Sequence, residues 1–366
     1  MPEFGVIYEA GMLPPYDVNE PIVFGALVDQ VRTAERVGFK SVWHVEHHFL
    51  EGMAHSSNSD VLLGAYAAAT TTIRLGYGVK LLPYEYNHPL RAAEAVATLD
   101  QLSGGRVEFG TGRSFTREEM EGFAIDPNTT RQQWDESLHM ILAAFRDEKF
   151  SWDSDSWKLP PRSVVPKPFQ KPHPPLWVAG TSPDSHTLAG SLGMGLLSFS
   201  IRTPLNILQE RLEMYREAIR LCTDPIGDYI NDRAATFTLV YCGETDEEAH
   251  ETAGKAVVDY IAQSGRYLAD TVAWVAGQNA PSYAYMKDRY GMSEGGDGLT
   301  FEELDSQDMV IVGSPETCAK KVQRYVDLGM QPQDILLGHF QAPGLPMDKV
   351  GASIERFGKE VIPAFL

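Results

Sequence analysis

Ser41-Val42-Trp43-His44-Val45-Glu46-His47-His48-Phe49-Leu50-Glu51-Gly52 is the stretch that decides the fold. It starts apolar, β-branched and aromatic, then turns abruptly to Glu46, His47 and His48. A buried strand ending in titratable groups is how an α/β barrel presents chemistry, at the carboxyl ends of parallel strands. Strand alternation puts His44, Glu46 and His48 on one face and His47 on the other. His44, early in the strand, reads as a core histidine. Imidazole with carboxylate also suits zinc or iron. The remaining histidines, among them His88, His139, His173, His186 and His339, form no second tight cluster at a strand end. Organic-cofactor chemistry therefore ranks above a metal site.

Working outward, the chain alternates. An apolar run at 4–8 precedes a helix over 22–37 that stops at Gly38, a helix-ending residue. The segment 74–82 reads as a strand in which Gly76 and Gly78 mark a bulge or a close backbone approach. A helix opens at Pro89 and ends at Gly104-Gly105, followed by a strand over 106–111. The helix over 127–149 carries Trp134, Leu138, Ile141, Leu142 and Phe145 on one face. Strands at 176–180, 195–200, 235–242 and 334–340 interleave with helices at 204–221 and 246–264. Eight strands alternating with helices and no separating linker predict a single α/β domain over 1–366, a (β/α)8 TIM barrel with insertions. The Pro-rich stretch 150–175 is read as an extended surface meander, and the irregular, Gly-rich 266–308 as an insertion that closes as a lid.

Composition narrows the partners. Lys and Arg number 31 against 50 Asp and Glu, a net charge of −19, which repels nucleic acid and anionic membrane. No apolar run reaches the length of a membrane span, and the start lacks a secretory signal. Three widely spaced cysteines fit a reducing compartment. The expectation is a cytoplasmic protein acting on small molecules.

Two stretches are suited to hold a phosphate. Phe109-Gly110-Thr111-Gly112-Arg113-Ser114 combines a side-chain-free backbone with a guanidinium fork, although Arg113 could instead pair with Glu118 or Glu119. Phe115 stands where a dinucleotide fingerprint needs glycine. Gly180-Thr181-Ser182-Pro183-Asp184-Ser185 reads equally as an anion site at a helix start or as a plain N-cap at Ser182. It is not a nucleophile elbow, because Asp184 replaces the closing glycine.

Taken with Glu46-His47-His48-Phe49, further motifs follow in order: Gly76-Tyr77-Gly78 with Leu82-Pro83, His88-Pro89-Leu90-Arg91, and 99–106. Phe109 to Arg113 and Pro172 to Gly180 complete the set. Over nearly its full length the chain resembles the bacterial luciferase-like, flavin-dependent monooxygenases. The resemblance implies a barrel that binds reduced FMN (FMNH2) and uses O2 through a flavin 4a-hydroperoxide to oxidise a small organic substrate. It places His47 at the catalytic position, with Glu46 and His48 beside it. It lays the flavin along Tyr77, Gly78 and Val79, where the Gly78–Val79 peptide is often cis in this family. It places Gly112, Arg113, Gly180, Thr181, Ser182 and Ser185 around the flavin and its phosphate. The luciferases carry cysteine at the position of Gly112, so a non-luminous oxygenase is expected. Without a nicotinamide fingerprint, reduced flavin is expected from a separate flavin reductase. Helices 61–72 and 89–102 match the family's dimer surface and imply a homodimer. Tyr8, Trp43, Tyr84, Tyr86 and Phe199 are expected on the substrate wall, suiting an apolar or aromatic compound. The alternatives are a deazaflavin-dependent oxidoreductase on the same barrel, a non-catalytic flavin-binding protein, and a metal-dependent hydrolase.

Overall fold

The computed structural model describes residues 2–278, 280, 283 and 298–366. Its strands are β1 (Glu3–Tyr8), β2 (Ser41–His44), β3 (Arg74–Tyr77), β4 (Lys80–Leu81), β5 (Val107–Gly112), β6 (Phe150–Asp153), β7 (Lys158–Arg162), β8 (Leu176–Gly180), β9 (Gly195–Phe199), β10 (Ala234–Cys242), β11 (Val310–Gly313) and β12 (Ile335–His339). Eight of them close into a parallel (β/α)8 barrel, in the order β10-β12-β1-β2-β3-β5-β8-β9 and back to β10. Parallel strands buried on both faces read as continuous apolar runs, as Ile335-Leu-Leu and Val310-Ile-Val do.

The expected strand over 74–82 divides into β3 and β4 at a cis Gly78–Val79 peptide, and β4 continues the ladder against Thr111 and Gly112 of β5. The strand β11 was not anticipated; it pairs along the outer half of β10, from Leu239 to Cys242. The Pro-rich stretch begins as an antiparallel hairpin of β6 and β7, after which the chain runs irregularly to β8.

The helices that bear on the site are α1 (Tyr16–Arg36), α2 (Ser59–Ala69), α3 (Pro89–Ser103), α4 (Arg117–Gly122), α5 (Thr130–Arg146), α6 (Pro183–Ser191), α7 (Leu205–Leu221) and α8 (Asp246–Gln278). The five residues assigned to the inner face of α5 are all buried. Helix α8 corrects an expectation. It does not stop at Ser264-Gly265 but runs on to Gln278, because Leu268, Thr271 and Val275 continue its buried face. Residues 266–278 are therefore helix rather than irregular chain; most of the remaining proposed lid, up to 297, lies outside the described residues. Among the described residues no helix is long and apolar enough to cross a membrane.

The barrel interior is closed at its amino end. Trp43 and Trp177 meet edge to face at 5.3 Å, and the fully buried Glu108 accepts hydrogen bonds from Trp177 Nε1 (2.6 Å), Arg233 (3.0 Å) and Arg74. Gly76 lies against the Trp43 ring, where any Cβ would collide with it. The glycine is needed for close approach. That closure leaves the carboxyl end of the barrel as the open one.

Candidate active site

A cavity of about 440 Å³ sits at the carboxyl ends of the strands, within the size range of small-molecule sites. Two polar clusters and an apolar remainder line it.

The first cluster is built on the focal stretch. Regular strand ends at His44, so the predicted alternation of faces beyond that point does not apply. The chain bends into a loop pinned by the His47 N–H to Ser56 O (3.3 Å) and the His48 N–H to Glu119 Oε1 (3.2 Å). Glu46 and His47 both line the cavity as a result. His48 turns aside, stacking on Tyr86 (5.9 Å) and packing edge-on to Phe123 (4.8 Å). His44 is buried, stacked on Tyr66 of α2, and burial pushes its imidazole pKa down to about 4.

Glu119 on α4 is the residue the sequence hid. Thr116-x-x-Glu119 has the form of a capping box, and Thr116 does cap the helix. The Glu119 carboxylate, however, points inward. One oxygen meets His47 Nδ1 at 2.8 Å, and the other accepts from Thr116 Oγ1 (2.6 Å) and Ser114 Oγ (2.9 Å). Burial alone would raise its pKa, but the His47 imidazole and the two hydroxyls outweigh burial and hold it below the usual carboxylate value. Reciprocally, burial would lower the His47 pKa, but Glu119, joined by the charges of Glu9 and Glu46, outweighs burial and raises it. The outcome is a buried, oriented imidazole whose charged form is favoured, with Nδ1 committed to Glu119 and the ring lining the cavity. Glu46 is likewise tied, accepting from the Leu81 N–H (3.0 Å) and Asn87 Nδ2 (2.8 Å).

The second cluster lies across the barrel, after β5 and β8. Arg113 and Arg131 line it together with Thr181, Ser182, Asp184 and Ser185. Arg113 donates to Thr130 Oγ1 (3.3 Å) and lies over the Tyr283 ring at 4.4 Å, while Glu119, one acidic partner considered for it, pairs with His47. At α6 the N-cap reading describes the local structure. Ser182 caps the helix in a capping box, and the N–H groups of Thr181 and Ser182 both donate to Ser185 Oγ. The helix start nevertheless faces the cavity, and its dipole adds positive potential there.

Between the clusters lie Gly78, Val79 and Gly112. A Cβ at Gly112 would run into Val79, so no cysteine fits there without moving Val79. Two residues assigned to the cofactor do not line the cavity. The Tyr77 hydroxyl reaches out to Asp60 of α2 (2.8 Å), and Gly180 packs on Leu196 and His186.

Of the aromatic residues expected on the substrate wall, Phe199 lines the cavity. Tyr8 lies behind it, buried near His44; Trp43 fills the barrel interior, its Nε1 bonded to Ser41 Oγ (3.0 Å); and the Tyr84 hydroxyl is bonded to Glu136. The pleat explains the misplacement, since Tyr8 and His44 are register partners pointing toward the helices while Trp43 points into the barrel below the cavity. The sequence reading also missed Glu9, Arg131, Trp134 and Leu268, all on the wall. Among the described residues no group of three or more His, Cys, Asp or Glu side chains is placed to hold a metal ion.

A closed parallel barrel with an oriented histidine and an anion-suited helix start in one cavity at its carboxyl end has the layout of an organic-cofactor enzyme. The model of the luciferase-like monooxygenase family matches residues 3–331, and the chain belongs to that family. Curated relatives include the alkanal monooxygenase alpha chain of Aliivibrio fischeri, 27% identical over 96% of this chain and 95% of that protein. Another is the oxygenase component of the flavin-dependent trigonelline monooxygenase of Acinetobacter baylyi, 23% identical over 94% of this chain and 90% of that protein. Solved structures with the same fold include the monooxygenase RslO1 from Streptomyces bottropensis, with TM-score 0.79, 23% identity and full coverage of both chains. They also include the coenzyme F420 dependent tetrahydromethanopterin reductase from Methanopyrus kandleri, with TM-score 0.68, 19% identity and coverage of 100% and 99%.

Proposed function

We propose that this protein is a monooxygenase that binds reduced FMN, takes it from a separate flavin reductase, and oxidises a small apolar or aromatic compound with O2. The observation that carries this reading is one cavity holding both an imidazole fixed by a buried carboxylate and an anion-suited end across the barrel. The cavity fits the cofactor. Arg113, Arg131 and the start of α6 would hold the phosphate, and the side-chain-poor surface of Gly78, Val79 and Gly112 would lie along a flat ring. Bound there, the reduced flavin supplies the electrons that activate O2.

The protein's own part is positioning and charge. Glu119 favours the protonated form of His47 and fixes its ring in the cavity wall, where the charged form can offer a proton to a developing negative charge. Glu46, fixed by Asn87 and the Leu81 N–H, keeps the adjoining loop in place. Phe199, Phe237 and Leu268 exclude water from the reacting centre. The flavin-dependent trigonelline monooxygenase is described as an oxygenase component, which supports the two-protein arrangement. The F420-dependent neighbour keeps a deazaflavin reading in view, and a direct competition between the two cofactors separates them.

Arg113→Ala is expected to weaken FMN binding about tenfold or more, as loss of one charge-assisted contact to phosphate does. Fluorescence quenching of FMN measures it, and unchanged affinity would remove the phosphate from that end of the cavity.

The homodimer belongs to the same proposal. Val61 on α2 and Leu102 on α3 are 67% and 70% exposed, large apolar side chains on the two adjoining helices that match the family's dimer surface. Light scattering should give a mass near twice 40.5 kDa; a mass near one chain would refute it.

A further inference from the structure

The wall of the cavity across from the phosphate end carries one further carboxyl group. Glu9 follows β1, which stands opposite β8 in the closed order of strands, so Glu9 faces the cavity from the side away from Thr181 and Ser182. Its neighbours on that wall include the apolar Ile7, Met53, Phe237 and Leu337, and His47 is near enough for its charge to act on Glu9. The residue is 2% exposed. Its Oε1 accepts a hydrogen bond from Tyr260 of α8 (3.1 Å), and its Oε2 is buried with no hydrogen-bond partner among the described residues.

A buried carboxylate oxygen is costly unless something donates to it. Among the described residues no arginine or lysine lines that wall, and a cofactor phosphate would be repelled from an ionised Glu9. A largely apolar wall with one bare carboxylate oxygen is the shape of a site for an apolar molecule bearing one donor.

We propose that Glu9 is the specificity-determining residue of the substrate chamber, accepting a hydrogen bond from a single O–H or N–H of an otherwise apolar substrate. The proposal rests on the monooxygenase reading for the word substrate, but not for the binding it describes. A hydroxylated or N–H-bearing ring compound, such as a phenol or a cyclic alcohol, satisfies the oxygen; the equivalent hydrocarbon leaves it bare. The donor has two possible sources, the ligand or an ordered water, and they differ in outcome.

The test uses the full chain without flavin and a matched pair of probes, 2-naphthol and 2-methylnaphthalene, titrated calorimetrically. At a pH above about 7, where Glu9 is ionised, wild-type protein is expected to bind 2-naphthol about tenfold or more tightly than 2-methylnaphthalene, as a hydrogen bond to a charged group implies. Glu9→Ala is expected to bring the two affinities together. Glu9→Gln keeps the shape and one uncharged acceptor, guards against a folding defect, and is expected to retain a reduced preference. Equal affinities in the wild type would show that water alone serves Glu9 and would overturn the proposal. So would a preference that survives Glu9→Ala, or failure of either probe to bind. FMN titration of the same samples reports on the monooxygenase reading independently, so a loss of one reading is not mistaken for a loss of the other.

Discussion

Replacing Glu119 by alanine is expected to destabilise the protein by about 3–5 kcal/mol, the usual cost of removing one partner of a buried ion pair. Three hydrogen-bond donors converge on this carboxylate besides His47: the hydroxyls of Ser114 and Thr116 and the His48 N–H. Alanine strands all of them together with the His47 ring. The pH window follows from the shifts. The depressed Glu119 value gives stabilisation that is present above its ordinary value near 4.5 and is lost as pH falls through the lowered one. The raised His47 value gives stabilisation present below its ordinary value near 6.5 and lost as pH rises through the raised one. The penalty is therefore greatest between those limits. Denaturant midpoints of Glu119→Ala and the wild type across that range measure it, and a cost below about 1 kcal/mol would mean that the pair is solvent-screened rather than buried. Glu119→Gln keeps the acceptor without the charge, so His47 should titrate at a lower pH in that variant.

Glu9→Gln is expected to have the opposite sign. Burial pushes the Glu9 carboxyl up to about 7 from 4.5, with His47 and Tyr260 pulling against it. A raised acid costs stability as pH climbs from the unfolded value to the folded one, because the unfolded chain releases its proton first. At neutral pH the flavin-free variant should be the more stable by up to roughly 3 kcal/mol, with the gain shrinking to nothing below about pH 4.5. The difference between the two proteins is the quantity to follow, because the lowered values of His44 (about 4) and His339 (about 3) tilt the wild-type curve the other way over part of the same range. A gain independent of pH would show that packing, not ionisation, separates them.

The barrel was legible because its signals are local and repeated. Apolar runs at 4–8, 41–45 and 335–339, glycine at helix ends, and Pro89 at a helix start each have one ready structural meaning. The site was legible where residues of one segment suffice, as with His47, Arg113 and the loop from Thr181 to Ser185. It failed where an assignment depended on where a strand stops. Four residues of regular strand beyond His44, through His48, were assumed, and their absence moved His48 off the cavity and brought Glu46 onto the same wall as His47. Glu119 was hidden by distance, since 72 residues separate it from the histidine it orients and its own neighbourhood spells a helix cap. Glu9 was hidden by being single, one carboxylate after an apolar strand. The helix expected over 246–264 runs on because its buried face does, through Leu268, Thr271 and Val275.

The central claim is that His47 and the flavin act together on O2. Its most direct test is anaerobic titration with reduced FMN followed by rapid mixing with oxygenated buffer, in wild type and His47→Ala. The account predicts saturable binding in both, and in the wild type alone a transient absorbance distinct from that of reduced and of oxidised FMN. Failure of reduced FMN to bind, or a transient of equal lifetime in His47→Ala, would contradict it.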